Sequence, residues 1–268
     1  MRLSRTHSSS VKIAFSGVQK LYEVKHAAGG NTLALDHLDL EIGASEIVSI
    51  VGPTGCGKSS ALNLVAGFER ASAGSVTVDG MPVSGTGGNR AVVFQQASLY
   101  PWLTVLDNVT LGLKCHGVAR DEYEPKALHL LQEVGLAGFE KHFPYQLSGG
   151  MQQRTQIARA LIGQPEILLM DEPFGALDYQ TRLLMQKLLL KLWGYFKPTI
   201  LFITHDVGEA IFISDRVAVM TRRPGRVKLV VEVRAPKPRD YEYLASSEFT
   251  TLEHELILAV QSEVASVA

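Results

Sequence analysis

The sequence predicts an α/β fold organised on a parallel sheet, and three observations point there. The stretch Gly52-Pro53-Thr54-Gly55-Cys56-Gly57-Lys58-Ser59-Ser60 fits G-x-x-x-x-G-K-[ST], and it lies between an apolar run, Ile47–Val51, and a helical pattern, Ala61–Ala66. Ile167–Met170 and Thr199–Ile203 read as strands buried on both faces. Residues from about 100 to 165 read as helical where a compact sheet protein would return to a strand, which predicts an inserted helical lobe. With 268 residues, 46% of them hydrophobic, the chain can bury a sizeable core as one large domain or two closely packed ones.

Composition narrows the function classes. A formal net charge of -1 supplies no global basic field, which argues against a nucleic-acid binder. Two cysteines, Cys56 and Cys115, make no disulfide framework and fit a reducing compartment. The polar start, Met1 to Ser10, lacks the apolar stretch of a signal peptide. No apolar run approaches the ~18 residues that would span a bilayer. The expectation is a soluble, cytoplasmic protein whose membrane role, if it has one, comes through a partner.

Taken in order, the chain opens with a β-rich region. Val11–Phe15 has strand periodicity, Gly29-Gly30-Asn31 signals a loop, and Leu33–Ile42 alternates as a half-exposed strand does. Tyr22 closes the segment Val18–Tyr22. An aromatic there has the chemistry to stack on a base, and an ordinary strand aromatic explains the spacing equally well. In the 52–59 motif, glycines let backbone N–H groups curl around an anion, and the following helix start adds partial positive charge. Lys58 is expected to reach β- and γ-phosphates and the Ser59 hydroxyl to ligate Mg²⁺. A glycine-rich turn alone would not need Lys-Ser at this offset, so nucleotide binding is the reading.

Beyond this motif, Ser75–Gly80 is a strand ending in a turn, and Ser84–Asn89 is glycine-rich. Ala91–Phe94 reads as a buried strand with Gln95 at its C-terminal end, where ligands collect in open α/β sheets. Gln95 there can ligate a metal, position water or cap the sheet. Thr104 is the expected N-cap of a helix to His116. Residues 121–134 form a second helix with Tyr123, Ala127, Leu130, Leu131 and Val134 on one stripe, stopped by Gly135. Ser148 is a plausible N-cap of a third helix, and Gly149-Gly150 leave backbone N–H groups open; alone, a capped helix explains this.

Asp171 and Glu172 end the 167–170 strand. Beside a phosphate-binding loop the expected division is Asp171 on Mg²⁺ and Glu172 on the attacking water. His205 follows the 199–203 strand, where it is a candidate contact to the terminal phosphate. Val217–Met220 and Val227–Val233 read as a hairpin around Arg222–Arg226, a charged turn expected to be solvated. Residues 234–240 read as linker or turn. From about Ser247 to Val264, a face of Phe249, Leu252, Leu256, Val260 and Val264 predicts an amphipathic helix docked on the core.

Four motifs in this order, the P-loop at 52–59, Leu-Ser-Gly-Gly-Met-Gln-Gln-Arg at 147–154, Ile-Leu-Leu-Met-Asp-Glu-Pro at 167–173 and His205, resemble the ATP-binding cassette of ABC transporters over residues 11–233. The resemblance implies a P-loop NTPase with a RecA-like core, an antiparallel β-subdomain and a helical subdomain, with residues 234–268 as a C-terminal linker and helix. It implies ATP and Mg²⁺ as ligands. Tyr22 then matches the adenine-stacking aromatic, and Gln95 the glutamine that senses Mg²⁺ and the membrane partner. Ser148 and Gly150, flanking Gly149, match residues that contact the γ-phosphate bound by an opposite subunit. Asp178 matches the D-loop, Glu172 the general base and His205 the switch histidine. Departures are Ser60 where Thr is usual, Ala44-Ser45-Glu46 where Gly-Glu is usual, and a lengthening from His26 to Asn31.

Leu99–Val105, Pro173–Asp178 and Arg222–Val227 are similar to importers of the nitrate/sulfonate/taurine group. That similarity implies a second copy of the chain in a head-to-tail dimer, transmembrane permease subunits, a solute-binding protein met only indirectly, and a place on the cytoplasmic face of the cell membrane. Two rivals stand beside it. A soluble cassette of DNA repair or translation would generally carry two cassettes or a coiled-coil insertion. A P-loop kinase or scaffold would need neither Leu147–Gly150 nor His205.

Overall fold

The computed structural model describes residues 10–23 and 30–265. The polar start before residue 10 and most of the lengthening after Tyr22 lie outside these described residues. Strands β1 (Val11–Tyr22) and β2 (Thr32–Gly43) pair antiparallel, and β3 (Ile47–Val51) then enters a second sheet and delivers the chain into α1 (Lys58–Ala66). β4 (Ala73–Val78) returns to pair antiparallel with β1, and β5 (Met81–Pro82) with β4, so the first sheet has the order β2-β1-β4-β5. The β-rich region read before the P-loop is therefore completed by strands that follow it.

The second sheet holds the functional edge. Its remaining members are β6 (Arg90–Val93), then, after helices α2 (Val105–Cys115), α3 (Arg120–Glu133) and α4 (Gly149–Leu161), β7 (Ile167–Asp171). They continue through α5 (Tyr179–Phe196), β8 (Thr199–Ile203), α6 (Val207–Ile213), β9 (Arg216–Met220) and β10 (Val227–Glu232). The order is β10-β9-β3-β8-β7-β6, parallel except for β10, which pairs antiparallel with β9 as the expected hairpin. All five residues of β3 and of β8 are buried, because helices and the antiparallel sheet cover both faces. β6 is a correction to the sequence reading: it is an edge strand with only Val93 fully buried, and Phe94 is 39% exposed.

The helical stretch follows its local signals. Thr104 caps α2 by accepting from the Asp107 N–H at 3.1 Å, and α3 buries Tyr123, Ala127, Leu130 and Leu131. Gly135 takes φ 72° just past the C-terminal end of α3, as expected of a helix stop. These helices bury Val105, Leu131 and Ile157 in one cluster with Leu168 and Met170 of the sheet and Phe174 of the turn after β7. The opposite face of the sheet packs α1 and the antiparallel strands around Ile50, Leu62 and Leu38.

After β10 come α7 (Tyr241–Leu244) and α8 (Ser247–Ala265). α8 buries Phe249 and Leu256 against Ala210, Val217 and their neighbours, with Leu252 and Val260 partly buried. Val264 is 58% exposed, so the expected apolar face ends early. At 100° per residue the inward position is instead Glu263, whose carboxylate accepts from Lys228 Nζ at 2.6 Å and from the Arg222 N–H at 3.2 Å.

The segment read as a linker, 234–240, is pinned. Arg239 is 4% exposed and donates to the carbonyls of Ile211 (2.8 Å), Phe212 (3.0 Å), Ser214 (2.8 Å) and Ala235 (2.9 Å). Lys237 packs over the Trp193 ring at 3.7 Å and pairs with Asp215 at 2.7 Å. Burial lowers its ammonium from 10.5 to about 8. Between those values the unfolded chain holds a proton that the folded chain has released, so stability rises with pH from about 8 to 10.5. In urea titrations, wild type is expected to gain on Lys237→Met by at most ~3 kcal/mol over that window. Parallel pH curves for the two proteins would refute this.

Candidate active site

The P-loop is built by the end of β3. Val51 is fully buried, and the chain turns through Gly52–Gly57 before α1 begins at Lys58. Gly57 takes φ 104°, and a Cβ there would lie 2.6 Å from Leu35 Cδ2, so only glycine fits. No side chain caps α1 and its first turn holds no acid, which leaves its N–H groups and dipole for an external anion. A cavity of about 470 Å³ lies over this turn. Thr54, Gly55, Gly57, Lys58, Ser59 and Ser60 form its floor, and Tyr22, Thr32, Ala34, Glu172 and Arg223 its walls.

Each side chain has a defined setting. Lys58, 7% exposed, donates to the carbonyls of Gly52 at 2.9 Å and Pro53 at 3.0 Å. Ser59 Oγ donates to Asp171 Oδ1 at 3.2 Å. Burial raises the Asp171 carboxyl above its ordinary range, and the charge of Glu172 adds to this. Cys56 is buried within the loop; burial pushes its thiol up, and Lys58 Nζ at 3.9 Å opposes that. The Tyr22 hydroxyl hydrogen-bonds with Glu69 Oε2 at 2.7 Å and Ser60 Oγ at 3.0 Å, while Lys20 Nζ sits 4.8 Å from the ring centre.

Strand register brings the other candidates together. β7 and β8 are parallel with Asp171 opposite Ile203, so the residues that follow each strand emerge side by side. Glu172, at φ 44°, donates its N–H to the Ile203 carbonyl at 2.8 Å, and its carboxylate lies 2.9 Å from His205 Nδ1. A Cβ on Gly175 would lie 3.7 Å from both Gln95 Nε2 and His205 Cε1, which places Gln95 beside this pair. P-loop, Asp171, Glu172, His205 and Gln95 thus converge on one sheet edge.

Ser148, Gly149, Gly150 and Asp178 stand apart from the cavity lining. Ser148 is exposed and caps α4 by accepting from the Met151 N–H at 3.3 Å. Asp178 caps α5 through the Thr181 N–H at 3.0 Å. A Cβ on Gly150 would come 2.9 Å from Thr181 Cγ2, so the starts of α4 and α5 adjoin each other on a separate surface.

The turn expected to be solvated has Arg222, Arg223, Pro224 and Arg226 exposed, and only Gly225 is buried. Gly225 donates its N–H to the Ala34 carbonyl at 2.8 Å, and a Cβ there would meet the Cys56 carbonyl oxygen at 2.0 Å. Arg226 forms an ion pair with Asp36, which with Gln19 and His37 draws that carboxyl down to about 2. The turn is thereby packed against β2 and the P-loop, and Arg223 joins the cavity wall. Thr32, Ala34 and Arg223 are cavity residues that sequence reasoning missed. Only Gly225, a glycine with no other reason to sit in a charged turn, hints at the close approach.

Residues 35–175 match the family described as ABC transporter. The chain belongs to that family. An uncharacterised ABC transporter ATP-binding protein of Methanocaldococcus jannaschii is 46% identical over 254 residues, 95% of this chain and 93% of the relative. A taurine import ATP-binding protein, TauB, of Yersinia pestis is 50% identical over 194 residues, 72% of this chain and 76% of the relative. Among solved structures, the bacterial ABC transporter cassette MJ0796, in its dimeric form, covers 84% of this chain and 100% of its own at 34% identity and a TM-score of 0.72. The same cassette in a post-hydrolysis state bound to ADP and Pi matches with a TM-score of 0.70 at 33% identity. The fold is that of an ABC cassette, and the chain is an ABC ATPase that binds and hydrolyses ATP.

Proposed function

We propose that this chain energises an importer for a small anionic solute of the nitrate, sulfonate or taurine type, working from the cytoplasmic face of the cell membrane. In this reading residues 11–233 are the ATPase domain, with the helical lobe of about 100–165 inserted, and 234–268 are its C-terminal extension. Transmembrane permease subunits are the direct partners and a solute-binding protein an indirect one. The taurine importer relative at 50% identity supports the solute class. Among the described residues no helix is long and apolar enough to cross a membrane.

One observation carries the mechanism: Lys58 and Glu172 line the cavity and His205 lies against Glu172, whereas Ser148–Gly150 and Asp178 stand apart from that lining. Two copies set head to tail would bring the Ser148 region of one against the nucleotide of the other. Lys58 and the start of α1 bind the phosphates, Glu172 orients water and takes its proton, and His205 holds Glu172 in place near the terminal phosphate. Residues for Mg²⁺ fit: Ser59 and Asp171 lie together, and the raised Asp171 carboxyl is one whose ionised form a cation would favour. Gln95 is the third candidate. Among the described residues there is no cluster of three His, Cys, Asp or Glu, in keeping with an ion held largely by water and phosphate oxygens. When bound, Mg²⁺ supplies charge neutralisation on the phosphate chain. Two copies close on ATP and part when it is cleaved, and a permease near Gln95 and the helical lobe converts this into alternating access.

The nucleic-acid alternative finds no support in the relatives above. The test is isolation of the tagged chain from membranes, with uptake of labelled taurine, nitrate and an alkanesulfonate measured in cells lacking it. A co-isolated multispanning protein and lost uptake of one of these solutes are expected. Co-isolation of ribosomes or nucleic acid, with uptake of all three intact, would overturn the proposal.

A further inference from the structure

The β9–β10 turn places a cation on the cavity wall that the motifs above leave without a role. Arg223 lines the cavity, and its Nε donates to the Gly55 carbonyl at 3.3 Å. A Cβ on Gly55 would lie 3.3 Å from its Nη2, so the guanidinium rests against the outer rim of the P-loop. Among the described residues no carboxylate lies within 4.0 Å of it. Its neighbour Arg226, by contrast, is committed to Asp36.

The turn that presents Arg223 is held on three sides. Gly225 is bonded to Ala34 and to the Asp36 N–H, at 2.8 and 3.0 Å. Thr221 Oγ1 donates to the Pro224 carbonyl at 3.1 Å and accepts from the Arg226 N–H at 3.0 Å. Glu263 of α8 accepts from the Arg222 N–H at 3.2 Å. A long, flexible cation is therefore mounted on a fixed base beside a loop that gathers phosphate.

We infer that Arg223 is a nucleotide-binding residue that contacts the phosphate chain alongside Lys58. A guanidinium offers five donors in a planar fork suited to phosphate oxygens, and only one weak bond to a backbone carbonyl competes for them. Lys58 approaches from within the loop and Arg223 from its rim, so the polyphosphate meets positive charge on two sides. The inference rests on the cavity being the nucleotide site.

The test is displacement of a fluorescent ATP analogue by ATP and by ADP from the purified full chain. Arg223→Ala and Arg223→Gln are expected to weaken both nucleotides about tenfold, which is the lower end of what a hydrogen bond to a charged group supplies. Arg223→Lys, which keeps the charge but not the fork, is expected to lose less. The deficit of Arg223→Ala should shrink as salt is raised, because the lost contact is ionic and exposed. Unfolding of the nucleotide-free variants should match wild type, which separates binding from support of the turn. ATP affinity unchanged in Arg223→Ala, or wild-type affinity in Arg223→Gln, would overturn the assignment. Lys58→Ala in the same assay distinguishes the two levels: retained ATP affinity there would remove the cavity as the nucleotide site, whatever Arg223 does.

Discussion

Glu172→Gln is expected to keep ATP binding while lowering the rate of phosphate release by about 10²- to 10⁴-fold, the range that a positioned general base supplies. The geometry motivates this. Glu172 is the first residue past β7, held at φ 44° by its N–H bond to the β8 end, with its carboxylate 2.9 Å from His205 Nδ1. Gln is close to isosteric, so the backbone setting and the Ser59–Asp171 pair should persist while the proton acceptor is lost. Because the paired state would form but not resolve, gel filtration with ATP should show a dimer that outlasts that of wild type. Phosphate release within a few-fold of wild type would remove Glu172 from the role of base. Monomers throughout, with ATP bound, would count against the two-copy arrangement.

Lys58→Ala should act at the preceding step, weakening ATP by roughly 10²-fold through loss of a buried charge-assisted contact. Lys58 also ties together the carbonyls of Gly52 and Pro53, so part of the loss comes from a looser loop. Isothermal titration with ATP reads the affinity, and the melting temperature of the nucleotide-free protein reads the loop. An unaltered ATP affinity would show that phosphate is bound elsewhere.

What could be read from the chain was what is local. Strand, loop and helix around Lys58 are contiguous, and the apolar runs ending in Asp171-Glu172 and Thr204-His205 announce both the strands and their polar tips. The turn 222–226 is solvated as its charges suggest, but its anchors were not legible because Asp36, Ala34 and Cys56 lie far away in sequence. β4 and β5 join a sheet begun before the P-loop, a pairing that no periodicity encodes. At the C-terminus the apolar repeat suggested Val264, whereas the helical angle and the nearby Lys228 select Glu263. Ser45 illustrates a smaller gap. It holds φ 57° where the family's usual glycine would be at ease, and its hydroxyl bond to the Lys197 carbonyl at 2.7 Å helps to fasten it there.

Arg239 has a consequence for how the tail relates to chemistry. α6 is only 7 residues long, capped at its start by Asp206, next to His205, and bound at its far end by the Arg239 guanidinium. The histidine and the C-terminal segment therefore grip opposite ends of one short strut. Cutting the chain before residue 239 would strand three buried carbonyls and loosen the footing of His205, so the tail serves as a keystone for the catalytic edge rather than as an appendage.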